Sequence, residues 1–372
     1  MNNPVLKKKI LVVVPSLSRG GAERQAALMA TMLHDSGYHV VILTLYNDEI
    51  KYDFRATKVV DLLSSYEGYK KTRKLAFIKM IRQVLLKEKP DLICSFLTFI
   101  TYLTSRANAR LHIPQVDMVR NSYRHLSFLK KLMFHLYKNR ITGLILQNKE
   151  QEAYYSRKLI NKSFILYNSL DPDFVNVPFQ TRATIRNFVA LGRLMPQKDY
   201  GLMIMAFKEA LISNSHLKLS IYGQGPLKTK LETLIKDQQL TAAITIHSHV
   251  SNVKEVLLRH DAFLMTSVYE GFPNAMMEAM ATGLPVIATP FETGAITLLG
   301  HNERGTLVSR NPKEIAKAIL TYEANPTLAS EKAKLAYEYI NHVSNPIYVK
   351  QQLLKIITKI FGEFQGEKSN NY

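Results

Sequence analysis

Two acidic residues stand in the small and apolar stretch "SVYEGFPNAMMEAMATGLPVIATP", residues 267–290. Pro273 suits the first turn of a helix, and Gly283 followed by Pro285 marks the end of one. The residues between them are apolar nearly all round, which predicts a helix packed on most of its faces and makes Glu278 a buried carboxylate. Because an unpaired buried charge costs several kcal/mol, Glu278 needs either a structural hydrogen-bond partner or a ligand.

Other charged or glycine-rich positions also lie where predicted strands or helices meet loops. Glu270 lies just before the predicted helix, where backbone N–H groups favour an anion such as phosphate. In "LGRLMPQKD", Arg193 and Lys198 can converge on one anion, or form a pair of solvated loop cations. In "SLSRGGAERQ", Gly20 and Gly21 can leave N–H groups free for a phosphate, or form only a tight turn.

The elements that position these residues alternate between apolar β-rich runs and helical patterns. The first strand, "KILVVVPSL", is followed by a helix from about residue 22 to 36, and a second series begins with "FVALGRL". Continuous apolar strands separated by helices predict parallel sheets covered on both faces. The expected fold class is α/β, with two doubly wound Rossmann-like domains whose strand ends face an interdomain cleft.

The length of 372 residues favours two domains, and the segment 168–187 interrupts the alternation as a linker. We expect an N-terminal domain over residues 1–180 and a C-terminal domain over residues 181–345. A helix over residues 346–364 should pack back on the N-terminal domain, and residues 365–372 should form a tail.

The positive charge is concentrated in the first half of the chain. The formal net charge is +19, and residues 1–186 contain 30 Lys+Arg against 14 Asp+Glu. In residues 69–90 and 123–140 bases alternate with apolar residues at helical spacing, which favours either an anionic membrane surface or an ordinary solvated helix face. The run "ILVVV" indicates a buried strand rather than a signal peptide, and no stretch reaches the length of a membrane span.

Several other chemistries lack their sequence patterns. The single cysteine, Cys94, excludes an intramolecular disulfide and lies in an apolar run typical of a buried thiol. The acids of Asp171-Pro172-Asp173 favour a turn over a metal site, because hard cations need more oxygen ligands. The histidines show no zinc spacing, and no G-x-S-x-G elbow occurs. We therefore expect no metal and no bound cofactor.

Taken together, the motifs resemble the family four glycosyltransferases of the GT-B fold. They are Ser18-Arg19-Gly20-Gly21-Ala22-Glu23-Arg24 after the first strand, G-R-L-x3-K-D at the start of the second domain, and E-G-F-P-N-x3-E-A-x-A-x-G-x-P-V-I-A-T. The resemblance covers essentially the whole chain and is strongest over residues 188–290. Within the family, the chain is most similar to bacterial enzymes that extend lipid-linked or surface polysaccharides.

The resemblance implies roles for residues on the donor side. Glu278 would accept hydrogen bonds from the ribose of a nucleotide sugar, and Glu270 would contact the hydroxyls of the donor sugar. Arg193 and Lys198 would hold the diphosphate, and Val250 would mark the backbone that binds the base. Four consecutive positions would present backbone groups to the sugar and the diphosphate: Gly271, Phe272, Pro273 and Asn274. The loop of Gly20 and Gly21 would cover the diphosphate from the other domain.

One motif departs from the family pattern. Many members have a histidine after the fourth strand of the first domain, in a pattern like S-E-H-S, and here the segment reads Val119-Arg120-Asn121-Ser122. Asn121 stands in the place of that histidine and can keep a hydrogen bond, but an amide does not titrate. His125 lies four residues further on, and the choice between Asn121 and His125 stays open.

The resemblance thus implies a retaining transferase that is independent of metal. It would move a hexose or N-acetylhexosamine from a nucleotide sugar, by analogy with the family a UDP-sugar, to a lipid-linked or polymeric glycan at the inner, cytoplasmic face of the cell membrane. The alternatives are a GT-B epimerase acting on a sugar nucleotide alone and a basic nucleic-acid-binding protein. No recognition motif accompanies the positive charge, so nucleic acid is not an expected partner.

Overall fold

The computed structural model describes residues 8–18, 20–46, 50, 52–63, 74–248, 250 and 252–369. The motif residue Arg19, residues 69–73 of the first basic segment and residues 370–372 of the tail lie outside the described residues. The chain divides into two compact units, Met1–Ser169 with Ile347–Tyr372 and Leu170–Pro346.

The first unit is built on a parallel sheet with the strand order β3-β2-β1-β4-β5-β6-β7. Its core strands are continuous apolar runs, as in "ILVVV" of β1, because both faces of the sheet are covered. Burial raises the pKa of Cys94 in β4 to about 12, so this thiol is an inert core residue. The strands are β1 (Lys9–Val14), β2 (His39–Thr44), β3 (Lys58–Asp61), β4 (Leu92–Phe96), β5 (Gln115–Met118), β6 (Gly143–Leu146) and β7 (Ser163–Ile165).

The helices between these strands supply the apolar cover of the first sheet. The first begins at Gly21 beside the predicted start, and the two basic segments contain α2 and α4 in their described parts. The helices are α1 (Gly21–His34), α2 (Lys74–Glu88), α3 (Thr98–Asn108), α4 (Phe128–Tyr137) and α5 (Arg157–Ile160).

The second unit repeats the design with a sheet of order β10-β9-β8-β11-β12-β13, again parallel. Its strands are β8 (Asn187–Leu191), β9 (Lys218–Tyr222), β10 (Ile244–His247), β11 (Ala262–Met265), β12 (Val286–Ala288) and β13 (Thr306–Leu307). Its helices are α6 (Tyr200–Ser213), α7 (Lys228–Asp237), α8 (Val253–Leu258), α9 (Asn274–Ala281), α10 (Ala295–Leu299), α11 (Pro312–Ala324) and α12 (Pro326–Val343).

The last helix, α13 (Pro346–Ser369), belongs with the first unit although it follows the second in the chain. Val349, Leu353, Ile357 and Ile360 recur on one face of the helix and join the buried core of β1, β2, β4 and α1. Helical periodicity alone does not specify which of the two cores this helix joins.

Both sheets therefore have the doubly wound order that the sequence predicted, and each contains one point where the strand order reverses. That point lies between β1 and β4 in the first sheet and between β8 and β11 in the second. Ligands of such sheets bind beyond the carboxyl ends of the strands at this point. The loops after β1, β4, β8 and β11 are consequently the places to look for a site.

Candidate active site

The loop after β8 turns back so that Lys198 lies beside the end of its own strand. A short 3-10 turn, Pro196–Lys198, carries the lysine. Gly192 has a φ of 152°, and a Cβ at that position would lie 3.0 Å from both Lys198 Cε and the Tyr200 hydroxyl. Glycine is thus required here because the lysine passes close to the backbone.

Asp199 and Thr266 secure this loop. Asp199 is in the left-handed region, with a φ of 45°, and its side chain accepts a hydrogen bond of 3.2 Å from the Leu202 N–H to cap α6. The Thr266 hydroxyl, just after β11, lies 3.1 Å from the Lys198 carbonyl and 2.9 Å from the Asp199 carbonyl. The loops on the two sides of the reversal point are therefore joined by hydrogen bonds.

Lys198 and Glu270 form an ion pair at this point. Lys198 Nζ lies 2.6 Å from Glu270 Oε1, and the two side chains are 17% and 11% exposed. Thr293 holds the other side of the loop by donating its hydroxyl proton to the Glu270 carbonyl at 2.7 Å. Because one N–H of the ammonium is donated to Glu270, the arrangement presents two further cationic N–H donors beside a carboxylate acceptor, which suits an anion next to a polyhydroxylated group.

Tyr200, the first residue of α6, is a buried tyrosine close to this pair. Burial raises its pKa above the usual range of a phenol, and the nearby negative charge of Glu270 raises it further. The Tyr200 hydroxyl next to the ion pair is therefore protonated and neutral at physiological pH.

The predicted buried helix is α9, and Glu278 within it is 5% exposed, as its apolar neighbours Met277 and Met280 indicated. The start of the helix is one residue later than predicted, since Pro273 has an extended ψ of 97° and precedes the first helical residue, Asn274. The Pro273 carbonyl accepts from the Met277 N–H at 3.1 Å, so proline occupies the capping position rather than the first turn. Phe272 is buried, and Gly271 and Asn274 are partly exposed beside the same helix end.

Arg193 and Val250 follow the carboxyl ends of β8 and β10, two strands of the second sheet that have β9 between them. Arg193 is exposed at the start of the β8 loop and makes no ion pair with any residue that the structure describes. Val250 is partly exposed after β10. The rings of Tyr222 and His247 stack at the ends of β9 and β10, with centroids 4.3 Å apart. The sequence analysis missed this pair of stacked rings.

In the first unit, the Gly20-Gly21 turn leads directly into α1. One reading of the motif required the N–H groups of this turn to be free for a phosphate, and the Gly20 N–H is not free. The Gly20 N–H donates to the Tyr52 hydroxyl at 2.7 Å, and that hydroxyl donates to the Gly20 carbonyl at 2.8 Å. The Glu23 carboxylate lies so close that a Cβ at position 20 would collide with it. A tyrosine and a carboxylate of the chain itself therefore occupy the surroundings of this turn.

Asn121 is exposed in the turn after β5, and His125 is exposed as well. Beneath them lies a buried polar group that the sequence analysis passed over. Asp117 Oδ2 accepts from the Tyr137 hydroxyl at 2.6 Å, and Oδ1 accepts from the Thr101 hydroxyl at 2.8 Å. Burial raises the Asp117 pKa to about 6 even though both hydrogen bonds lower it. The acid in the strand "QVDM" was the sequence signal for this cluster.

The acid pair in the linker forms the predicted turn. Asp171 Oδ1 accepts from the Asp173 N–H at 3.2 Å and caps a 3-10 turn, Pro172–Phe174. Among the described residues, no cluster of three or more His, Cys, Asp or Glu side chains is arranged to hold a metal ion.

Two protein-family models match the chain. Residues 19–173 match the model described as Glycosyltransferase Family 4, and residues 180–340 match the model described as Glycosyl transferases group 1. The two doubly wound sheets are those of GT-B glycosyltransferases, and this is the class of the protein. The matched segments account for most of the chain, which belongs to the family four type of glycosyltransferases, as its motifs indicated.

A curated relative from Campylobacter jejuni is 28% identical over 331 residues, which are 81% of this chain and 86% of the relative. It is named N-acetylgalactosamine-N,N'-diacetylbacillosaminyl-diphospho-undecaprenol 4-alpha-N-acetylgalactosaminyltransferase. Other curated relatives match about half of this chain, and the chain spans less than half of their length. The relatives do not favour the epimerase or the nucleic-acid alternative.

Solved structures show the same fold. S. aureus TarM, in a complex that includes UDP, has a TM-score of 0.78 at 15% identity, covering 95% of this chain and 99% of that one. Anabaena HepE, in complex with UDP and glucose, has a TM-score of 0.78 at 17% identity, covering 95% of this chain and 100% of that one.

Proposed function

We propose that this chain transfers a hexose or an N-acetylhexosamine from a UDP-sugar to a lipid-linked or polymeric glycan in the synthesis of a bacterial surface glycan. The observation that carries the proposal is the Lys198–Glu270 pair at the reversal point of the second sheet, next to the end of α9. The UDP in the TarM and HepE structures supports the donor class, and the diphospho-undecaprenol acceptor in the name of the Campylobacter relative supports the acceptor class.

The bases of the second unit act on the diphosphate. Breaking the bond between sugar and nucleotide leaves negative charge on the diphosphate, and groups already aimed at that charge lower the barrier without reorganising. The loop after β8 fixes the position of Lys198. The exposed side chain of Arg193 can rotate so that its planar guanidinium group donates two hydrogen bonds to phosphate oxygens. The positive end of α9, at Asn274, adds to the same field.

The acids act on hydroxyl groups. When the Lys198 ammonium pairs with the diphosphate in place of Glu270, the Glu270 carboxylate becomes an acceptor for the hydroxyls of the donor sugar. Glu278 accepts from the ribose hydroxyls, and Gly271 to Asn274 supply backbone groups to the sugar and the diphosphate. Val250 marks the backbone that binds the base, beside the stacked rings of Tyr222 and His247.

The first unit contributes the sugar side and the acceptor. Asn121 offers an amide to the donor sugar, and the backbone of Gly20 and Gly21 is the second group that this unit contributes, toward the diphosphate. The acceptor hydroxyl oxygen bonds to the anomeric carbon on the face from which the diphosphate leaves, and its proton passes to the departing phosphate oxygen as the bond between sugar and diphosphate breaks. The anomeric configuration is therefore retained. Lys198, Arg193 and the helix dipole supply the positive charge, and the proposed transfer needs no metal.

The first experiment is thermal unfolding of the purified protein against a panel of UDP-, GDP- and ADP-sugars, with and without EDTA. A UDP-sugar at about 100 times its dissociation constant should add about 2.7 kcal/mol to the free energy of unfolding. The same shift in EDTA, followed by an α-linked product from an α-linked donor in an NMR assay, supports the proposal. A shift that appears only with Mg²⁺ or Mn²⁺ contradicts metal independence, and no shift with any UDP-sugar contradicts the donor class.

We further propose that α4 places the enzyme on the inner surface of the cell membrane. Phe128, Leu129, Leu132 and Leu136, here named the α4 face, are 81%, 60%, 48% and 50% exposed. Their spacing puts them on one side of the helix. Apolar side chains of this size on an exposed helix face are typical of an interfacial helix.

The charge around the α4 face fits an anionic lipid surface. Residues 121–142 contain five Lys and Arg residues and no Asp or Glu. Each base near such a surface contributes about 1 kcal/mol of attraction. The other basic helix, α2, exposes only Leu75 and Leu86 among its large apolar residues, so α4 is the stronger candidate. No helix within the described residues has both the length and the apolar character to cross a bilayer.

Sedimentation with vesicles tests this part of the proposal. The protein should bind phosphatidylglycerol vesicles far better than phosphatidylcholine vesicles, and Leu129→Ser with Leu132→Ser should weaken binding about tenfold. The matched control is Ile212→Ser, because Ile212 is 76% exposed on α6 of the second unit. Equal loss in the control contradicts the α4 face, and tighter binding to duplex DNA at the same salt concentration would favour the nucleic-acid alternative.

A further inference from the structure

Arg310 binds the ends of three neighbouring loops in the second unit with a single guanidinium group. It lies between β13 and α11, and its Nη1 donates to the Thr266 carbonyl at 2.8 Å and to the Ser267 carbonyl at 2.9 Å. The same nitrogen lies 3.4 Å from the Thr289 hydroxyl after β12, and Nη2 lies 2.5 Å from Asp199 Oδ2. Arg310 therefore joins the carboxyl ends of β11 and β12 to the loop that follows β8.

We propose that Arg310 is a positioning residue that sets the geometry of Lys198 and Glu270 for the donor diphosphate, an inference that rests on the proposed function. On one side it fixes Asp199, which directly follows Lys198. On the other side it fixes Ser267, which is three residues before Glu270. Both partners of the ion pair are thus tied to one rigid, planar cation.

The backbone of Asp199 explains why this tie is needed. Its φ of 45° lies in the left-handed region, which costs a residue other than glycine on the order of 1 kcal/mol. Two interactions of its carboxylate oppose the relaxation of this turn: Oδ1 caps α6 through the Leu202 N–H, and Oδ2 binds Arg310. Without Arg310 this carboxylate keeps only the cap, and the hydrogen bonds from the Thr266 hydroxyl come from a residue whose own carbonyl Arg310 no longer holds. The Lys198 ammonium then loses its defined position relative to the strand end.

Arg304 is another arginine of the second unit, and its contacts differ from those of Arg310. It also donates to backbone carbonyls, those of Leu298 at 2.8 Å and Thr297 at 3.1 Å, and it stacks over the Tyr339 ring at 4.0 Å. It has no contact with the β8 or β11 loops among the described interactions. Arg304→Gln is therefore the matched control for Arg310→Gln.

The kinetic test is a double-mutant cycle between Arg310 and Lys198, read as kcat and donor KM separately. Arg310→Gln should lower kcat about 10- to 50-fold, Arg310→Lys should recover part of it, and Arg304→Gln should stay within about twofold of the wild type. In the Lys198→Ala background, Arg310→Gln should lower kcat by less than about threefold further, because its effect acts through Lys198. A full additional loss in that background overturns the inference, since it would mean a general structural role.

Hydrogen exchange provides a measurement that does not depend on turnover. Arg310→Gln should speed amide exchange in a peptide covering residues 196–202, and Arg304→Gln should not. Unchanged exchange in Arg310→Gln overturns the inference. If the wild type transfers no sugar from any UDP-sugar, the proposed function fails, and the exchange result alone then decides whether Arg310 positions the Lys198 loop.

Discussion

The two units carry their candidate residues in opposite ways. In the second unit, Lys198 and Glu270 are largely buried, paired with each other and held by neighbouring hydroxyls. In the first unit, Asn121 is exposed, and the turn at Gly20 is bonded to the Tyr52 hydroxyl. The second unit therefore presents charges in a fixed geometry, while the first presents one exposed amide and a turn bonded to its own chain.

This difference matters because the two regions have different tasks in the proposed reaction. Stabilising the charge that develops on a leaving diphosphate requires groups whose positions are set in advance. The hydroxyls of a donor sugar are neutral hydrogen-bonding groups, so an exposed amide such as that of Asn121 suffices to bind them. Substitutions in the second unit should consequently have larger effects than those in the first.

The largest effect is expected from Lys198→Ala. Removing the preorganised cation should lower kcat about 10²- to 10³-fold, as loss of one transition-state donor does in other enzymes. Lys208→Ala is the control, because Lys208 also lies in the second unit and, among the described residues, its ammonium hydrogen-bonds to Gln238 at 2.8 Å. Steady-state kinetics with a UDP-sugar measures both variants. A kcat of Lys198→Ala within threefold of the wild type would remove the basis of the proposed mechanism.

Glu278→Gln should chiefly weaken donor binding. A hydrogen bond to a charged group contributes about 1.5–3 kcal/mol, so we expect UDP affinity to fall about 10- to 100-fold by calorimetry. The control is Glu88→Gln in the first unit, which alters another buried carboxylate, one that is paired with Lys58 at 2.6 Å. That control should lower stability and leave UDP affinity unchanged. Equal UDP affinity in Glu278→Gln and the wild type would make Glu278 a structural residue.

Asn121→Ala should have a smaller effect than either change in the second unit. Loss of one neutral hydrogen bond corresponds to about 0.5–1.5 kcal/mol, or roughly a 3- to 10-fold lower kcat, with UDP affinity unchanged. Asn121→His, which restores the residue of the family pattern, should keep more activity than the alanine variant. Asn139→Ala serves as the control on an exposed asparagine. If His125→Ala lowers kcat and Asn121→Ala does not, His125 is the residue that acts.

The smallest effect concerns stability beneath the Asn121 turn. Burial raises the Asp117 pKa to about 6 from an ordinary value of 3.8, so the folded protein binds this proton more tightly than the unfolded chain does. The stability from this group is fully present below about pH 4 and is lost as the pH rises to about 6 and beyond. Asp117→Asn should therefore show a shallower fall in the free energy of unfolding between pH 4 and 6.

Urea denaturation at pH 4, 5, 6 and 7 measures that slope. Asp237→Asn, an exposed position at the end of α7, should follow the wild type over the whole range. Parallel curves for Asp117→Asn and the wild type would show that the Asp117 pKa is not raised in solution.

Local patterns predicted much of the fold. Continuous apolar runs such as β1 predicted buried parallel strands, and the apolar surroundings of Glu278 predicted a buried helix, because periodicity reports which faces are covered. The start of α9 was placed one residue early, since a proline suits both the first turn and the position before it. At Gly20, the sequence left a phosphate loop and a tight turn open, and the Tyr52 hydroxyl now fills the turn.

What the sequence by itself determined is the alternation of strands and helices, the turns at glycine and proline, and the kinds of residue at the strand ends. Only the tertiary structure decided which of those residues meet: Lys198 with Glu270, Arg310 with Asp199, and Asp117 with Tyr137. The physical reason is that these contacts depend on the order of strands in a sheet. Hydrophobic periodicity specifies whether a strand is buried, but it does not specify which strand lies beside it.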